Sequence, residues 1–445
     1  MPGRTGLGDF ALKAGHDPRL RVCLWVFVLL YFGSGCATYS DRMKIAQEQV
    51  NLGNYQAAVD DLNKFMNTPD GQLPDKFDSD TALAVLDRAT LEQALTQFQK
   101  SAQDFGAADQ ELQLLDIAND TAGTIGEYFF SDSSTKYKAS PVEKLSLNGF
   151  NMMNYLALGQ MTGASVEARR FTVMRNYLNE FEPGHPHAAF GSYLAGFTFA
   201  QQGDYGRAMR YYDEALEAGS FESLREPISR LSKLTTYRGQ HIQKFLDGKK
   251  TPPAPADHTG SLIVAVNIGR VPYKVPERMP IGAAIGIAGS YISGNPAVLG
   301  YSAFKVVVYP ELVQPPSLYN KVSMKIDDRS ARLDLATNLG AEIKNEYEKL
   351  KPKIIGAAIS RMIVRAAAAE GVRQAGNQQD AALGWVLALA TEASMVAMDK
   401  PDTRSWMFLP DRVYLYQTRL KPGTHTVEIQ LGGSNGSTLN HTVEI

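Results

Sequence analysis

The 445-residue sequence predicts a multidomain chain, α first and α+β second: a helical-repeat solenoid followed by a small β-sandwich-like domain with a helical insertion. Up to residue 248 it reads as successive helix-period segments with few β-branched runs. Lys249-Lys250-Thr-Pro-Pro-Ala-Pro-Ala-Asp then interrupts them, and short alternating apolar segments follow on both sides of three further helical ones. Proline locks φ and favours extended backbone, so 249–259 is read as a linker between a helical domain at 36–248 and a β-sandwich-like domain at 260–445. That length allows sizeable cores. The net charge of −2 lacks the basic surplus of an electrostatic nucleic-acid binder, so no nucleic-acid partner is expected.

Near the start of the chain lie Arg19 and Arg21, an apolar run from Val22 to Phe32, and the small residues Gly33, Ser34 and Gly35 before Cys36. Basic flank, short apolar segment and small-residue cut site predict a signal peptide over 1–35. The apolar run is about half of the roughly 20 residues that span a bilayer. Leu30-Tyr-Phe-Gly-Ser-Gly-Cys36 resembles a bacterial lipoprotein processing site, with Gly33 where leucine is commonest. The resemblance implies a diacylglycerol on the Cys36 thiol, cleavage before it and acylation of the new amino terminus. With Ala37 next, it also implies the periplasmic face of the outer membrane. A signal peptide cut elsewhere, or a buried structural cysteine, is the other reading. Asp9 and Asp17 do not suit a basic leader, and initiation at Leu20 would leave a compact one beginning Met-Arg-Val-Cys-Leu-Trp. Cys23 falls in the removed segment, so the mature chain would hold one lipidated cysteine, with no disulfide and no cysteine metal site.

The helical half repeats internally. In the clearest copy Gly196 and Phe199 lie on a first helix, Gly203-Asp204-Tyr205 make a turn, and Ala208, Tyr212 and Ala215 lie on a second. Small residues let paired helices approach, Tyr205 and Tyr212 fill the space between them, and Gly203 permits the turn. A second copy is Gly53, Tyr55, Ala58 and Leu62. A third is Phe98, Ser101, Phe105 and Ala108, with Thr96 where the turn glycine is expected, and a fourth is Tyr155, Gly159, Ala164 and Ala168. The spacing resembles the tetratricopeptide repeat, whose helix pairs stack and bury apolar faces mainly against their neighbours. An irregular helical bundle would have the same helices without the regular stacking. Such arrays offer a groove for extended peptides, with Tyr205 and Tyr212 as candidate partner contacts. In Val166–Arg170, Glu167 and Arg170 stand at i and i+3 and can pair. Arg169 and Arg170 either form a solvated helix face, which the spacing favours, or hold an acidic partner in the groove.

Candidate chemistry is sparse. His185-Pro-His187 follows Glu182, but proline blocks a helix there and the usual zinc spacings are absent, so no metal is expected. There is no Gly-x-Ser-x-Gly elbow and no phosphate-loop Gly-Lys-Ser/Thr. Asp60-Asp61 and Asp327-Asp328 are merely adjacent. The residues thus point to no enzyme and no cofactor.

In the second half, strands are expected at 260–269, 304–309, 322–326, 412–419, 424–430 and 439–445, with helices at 333–350, 353–370 and 381–398 forming an insertion near 333–398. Pro422-Gly423 supplies a turn within Leu420–Leu431, which resembles a strand pair recurrent in surface proteins. The last two strands read as a hairpin. Ile281–Phe304 carries no charge; a buried or partner-covered segment is favoured over lipid contact, because irregular backbone in lipid leaves polar groups unsatisfied. Asp402-Thr-Arg-Ser-Trp406 before Leu409-Pro410 is either a recognition site through Arg404 and Trp406 or, as favoured, an anchor in which Trp406 fixes the helical insert and Asp402 pairs with Arg404.

Together the processing site, Ala107-Ala-Asp109, the Val-Glu-Ala-Arg-Arg run and the Asp-Thr-Arg-Ser-Trp…Leu-Pro segment resemble a group of uncharacterised proteobacterial lipoproteins with tetratricopeptide repeats. The resemblance implies a non-enzymatic, membrane-anchored periplasmic scaffold that binds envelope proteins through the repeat groove, in cell-wall synthesis or surface-polymer export. The alternative is an envelope enzyme or ligand-binding protein with its site in the C-terminal domain near Arg404 and Trp406.

Overall fold

The computed structural model describes residues 37–112, 137, 139–181, 188–247, 259–300, 305–377, 384–391, 400–433 and 437–445. The leader with Cys36, the Glu182 to His187 segment and most of the proline-rich linker lie outside the described residues. Helices come first and antiparallel sheets later, as expected.

Among the described residues, after a single helical turn at Tyr39–Arg42, come the helices α1 (Lys44–Asn51), α2 (Tyr55–Met66), α3 (Ser79–Ala94), α4 (Phe98–Leu112), α5 (Pro141–Ala157), α6 (Met161–Phe181), α7 (Phe190–Gln201) and α8 (Tyr205–Ala218). Each packs on the next, and short helices α9 (Arg225–Leu231) and α10 (Gln240–Leu246) close on α8. Their starts are written locally. Asp78 accepts a hydrogen bond from Thr81 N at 2.8 Å, and Asp204 accepts one from Arg207 N at 3.0 Å. Ser140 and Glu143 form a reciprocal capping box around Pro141 at the first helical position.

The turns inside the four helix pairs are the same turn. Gly53, Thr96, Gly159 and Gly203 have φ of 79°, 60°, 70° and 80°. In each the next amide reaches back to a carbonyl five residues earlier: Asn54 to Gln49, Gln97 to Glu92, Gln160 to Tyr155 and Asp204 to Phe199. Thr96 is exposed and pays the left-handed penalty of a residue with a Cβ. Thr96→Gly is therefore expected to stabilise the protein by about 0.5–1 kcal/mol, read as an upward shift in the denaturation midpoint. Neighbouring helices, within a pair and between pairs, also meet at glycine. A methyl group on Gly196 would overlap the Tyr212 ring, and one on Gly191 would overlap Phe171.

Nine strands follow among the described residues: β1 (Gly260–Ile268), β2 (Tyr273–Pro280), β3 (Val306–Val313), β4 (Tyr319–Ile326), β5 (Arg329–Ala331), β6 (Asp334–Asn338), β7 (Arg412–Leu420), β8 (Thr424–Gly433) and β9 (Ser437–Glu444). They form sheets ordered β1-β7-β6, β2-β3 and β5-β4-β8-β9. Val264, Val266 and Ile268 of β1 share one core with Met324 and Ile326 of β4 and Val427 and Ile429 of β8, so the first and third sheets pack on each other. The expected β8-β9 hairpin is present, with Thr424 opposite Glu444. Pro422-Gly423 joins two strands that do not pair: it carries the chain from one sheet to the other.

Two expected helices are a single one. α12 (Leu339–Asn377) runs through Pro352, and 334–338 is a strand rather than a helical start. A proline removes one helical N–H bond and bends the axis without ending a helix that packing holds on both sides. Of the segment expected at 381–398, residues 384–391 are described, and they are helical.

Compactness cuts across the linker boundary at 249–259. The larger unit is Arg42–Val275, Glu311–Leu350 and Thr403–Ile445; the smaller is Met1–Asp41, Pro276–Pro310 and Lys351–Asp402. The smaller unit has its own core, in which Ala284 and Ala288 of helix α11 (Ile281–Ala288) and Leu299 meet Ile355, Ile359 and Met362 of α12.

Candidate functional site

Within the larger unit, α1, α3, α4 and α5 receive an irregular stretch of the same chain, residues 403–409, which turns at Met407 and Phe408. Its side chains are nearly all hidden, with Trp406 1% exposed and Arg404 3%. Trp406 is held at both ends: its backbone N–H donates to Glu143 Oε1 at 3.0 Å and its indole N–H to Thr90 Oγ1 at 2.9 Å. The rings of Phe105 and Phe150 meet it edge-on at 5.8 and 6.4 Å. Met407 accepts from Gln47 Nε2 at 2.8 Å, and Phe408 N donates to Asp87 Oδ1 at 3.0 Å. The stretch is also held by Val271, between β1 and β2, and by Lys274 at the start of β2. Lys274 N donates to Ser405 Oγ, Lys274 Nζ to the Arg404 carbonyl, and Val271 N to the Leu409 carbonyl.

The three segments singled out in the larger unit converge on α5. Lys144 Nζ donates to Asp109 at 2.9 Å, Asn148 Nδ2 donates to Glu167 at 3.0 Å, and Glu143 holds Trp406. Glu143 also accepts from Tyr137 Oη at 2.5 Å and from Ser140 N at 2.8 Å. Arg170 bridges Asp109 at 3.2 Å and Glu167 at 3.3 Å. The expected i, i+3 pair forms, and the guanidinium additionally ties α6 to α4. Burial raises the Glu167 pKa against the pull of Arg170. Each named charge has a fixed partner, which is the chemistry of a structural joint.

Of the expected partner contacts, Tyr212 is fully buried and its hydroxyl donates to Gln417 Oε1 at 3.1 Å, so it faces the chain's own strand β7. Arg404 and Trp406 are buried too, Arg404 lying 5.8 Å over the Tyr137 ring. Trp406 anchors the N-terminal helices rather than the helical insertion. Neither of these two nor Tyr212 is offered to an outside partner. Tyr205 is half-buried, and Arg169 and Arg170 are exposed. Cys36 lies outside the described residues. Among the described residues no group of three His, Cys, Asp or Glu side chains stands where it would hold a metal.

Residues that sequence reasoning missed close the same helical face further along. Thr337 Oγ1 of β6 accepts from Phe190 N at 2.9 Å, and Glu342 of α12 accepts from Ala188 N at 3.0 Å, where Ala188 has a φ of 49°. Both cap the amino end of α7, which has no side-chain cap of its own. Burial pushes Glu342 up to about 7, against the pull of the Ala188 amide. Burial, with the neighbouring Asp104 carboxylate, pushes Glu92 up to about 8. Both values stand above the ordinary 4.5, so the folded state binds protons that the unfolded chain has released. Their contribution is fully present below about pH 4.5 and is lost as pH rises towards 8. Denaturation at pH 5 and pH 8 is expected to show a fall of order 1–3 kcal/mol per glutamate, smaller by one such step in Glu92→Gln.

A comparison with protein-family models finds no match for the chain, and neither does a comparison with curated proteins.

Proposed function

We propose that the helical half is a tetratricopeptide-type array of four helix pairs, in a periplasmic lipoprotein anchored to the outer membrane through Cys36, and that it scaffolds an envelope complex without catalysing a reaction. In this reading it resembles the uncharacterised proteobacterial lipoproteins named above. The observation that carries it is the recurrence of one turn geometry at Gly53, Thr96, Gly159 and Gly203, joined to a helical face that residues 403–409 already occupy. A face filled by its own chain is a stiffened platform, and partners then dock elsewhere on it. The outer side of α6 is the proposed place, where Arg169 and Arg170 are exposed next to Val173 at 68% exposure. The alternative site at Arg404 and Trp406 loses its motivation, since both side chains are consumed inside the fold.

Crosslinking in living cells followed by mass spectrometry tests this, comparing wild type with Cys36→Ala and with Arg169→Glu, Val173→Glu. Partners that vanish in Cys36→Ala support the anchor, and partners lost in the double variant support the α6 surface. A partner set unchanged in both would sink the scaffold reading.

A further inference from the structure

The smaller unit, taken by itself, holds a concentration of uncovered apolar surface. Of the seventeen exposed large hydrophobic side chains among the described residues, nine belong to it. Four stand almost in succession on the helix at 384–391: Trp385 is 57% exposed, Val386 46%, Leu387 40% and Leu389 52%. Ile285 and Ile287 of α11 are exposed as well. Neither helix carries a charge. At about 100° per residue the four side chains of 385–389 spread over roughly 200° of the helix circumference. A partner helix or a protein groove covers one face of a helix, whereas hydrocarbon covers every side that is pushed into it.

Charge and aromatic placement fit the same surroundings. Residues 351–377 carry five cations (Lys351, Lys353, Arg361, Arg365, Arg373) and one carboxylate, Glu370, which accepts from Arg373 at 2.7 and 2.6 Å and leaves a positive surplus. The Arg373 guanidinium lies 5.1 Å over the Trp385 ring, and the Lys353 ammonium 5.8 Å over the Tyr291 ring. An aromatic ring with a cation on it, beside bare apolar side chains, suits the layer where acyl chains meet anionic headgroups. No helix among the described residues is long and apolar enough to cross a membrane, so the fitting mode is a helix lying in the interface.

We propose that the smaller unit docks on an anionic lipid bilayer, seating Trp385, Val386, Leu387 and Leu389 at the boundary between headgroups and acyl chains, with the positive surplus of 351–373 drawing it to the anionic headgroups. This is independent of the scaffold reading: it uses neither Cys36 nor the α6 surface.

The test exploits the three tryptophans of the chain, Trp25, Trp385 and Trp406, the last of which is buried. The full chain carrying Trp25→Phe and Cys36→Ala is mixed with vesicles of phosphatidylglycerol and phosphatidylcholine whose acyl chains carry bromine. Quenching of tryptophan emission is expected, and it should disappear in Trp385→Phe. Leu387→Ser with Leu389→Ser should raise the lipid needed for half-maximal quenching on the order of tenfold. These side chains are exposed, so the fold survives, and unchanged Trp406 emission checks it. Quenching that persists in Trp385→Phe, equal quenching on pure phosphatidylcholine, or no quenching would overturn the proposal. So would a concentration-dependent dimer dissolved by Leu387→Ser, which would make the occupant a second copy of the chain.

Discussion

Trp406→Ala is expected to destabilise the protein by about 3–5 kcal/mol in equilibrium denaturation. The indole is 1% exposed, wedged between Phe105 and Phe150, and its removal leaves a large cavity. It also strips Thr90 Oγ1 of the indole donor. Trp406→Phe keeps a ring in the cavity and loses the N–H, so it should cost about 1–3 kcal/mol. The graded pair distinguishes packing from the hydrogen bond. A cost below about 1 kcal/mol for Trp406→Ala would mean that residues 403–409 leave the helical face readily, and that face would then be open to an outside peptide. Proteolysis reports the same event independently: a detached 403–409 is cleaved faster than the wild-type segment.

Arg88→Ala is expected to be comparably severe, about 3–5 kcal/mol, because it strands buried carboxylates. Arg88 is 0% exposed and donates to Asp104 through Nε at 2.6 Å and Nη2 at 2.8 Å, to Asn63 at 2.7 Å and to the Gln72 carbonyl at 2.9 Å. One guanidinium thus fastens α2, α3, α4 and the loop after α2 together. Glu92 lies 4.0 Å away with neither carboxylate oxygen hydrogen-bonded. Glu92→Leu should therefore be neutral or stabilising, in contrast to Arg88→Ala, since it removes a buried group without stranding a partner. If Arg88→Ala and Glu92→Leu shifted the denaturation midpoint alike, the assignment of Arg88 as the hub would be wrong.

The helical order and the strand-rich end were legible in the chain, down to Thr96 in the place of a turn glycine. A 3.6-residue period, a capping box at Ser140 and Glu143, and small residues at Gly196 and Ala208 are local signals, each set within a few residues by backbone sterics. The Glu167–Arg170 pair was legible for the same reason. Pro352 misled because a proline reads as a stop, while α12 keeps its helix through contacts that no local pattern records. The short β6 misled likewise: Asp334–Asn338 pairs with β7 across a helix of 39 residues. Strand pairing at that distance follows from the partner, not from the segment's own propensity.

The candidate site was half legible. Asp109, Arg170 and Trp406 stood out as residues, but nothing in their spacing brought them to α5; Glu143 carried a capping signal and none for Trp406, and Thr90 and Thr337 carried no signal at all. Segment types, turn positions and the helix-pair register are properties of neighbouring residues, so they are readable from order alone. Which part of the chain fills the helical face depended on bonds such as Trp406 to Glu143 and Phe408 to Asp87, across 263 and 321 positions of sequence. Such contacts exist only once the chain has folded back, because burial and hydrogen-bond satisfaction are settled among groups that meet in space.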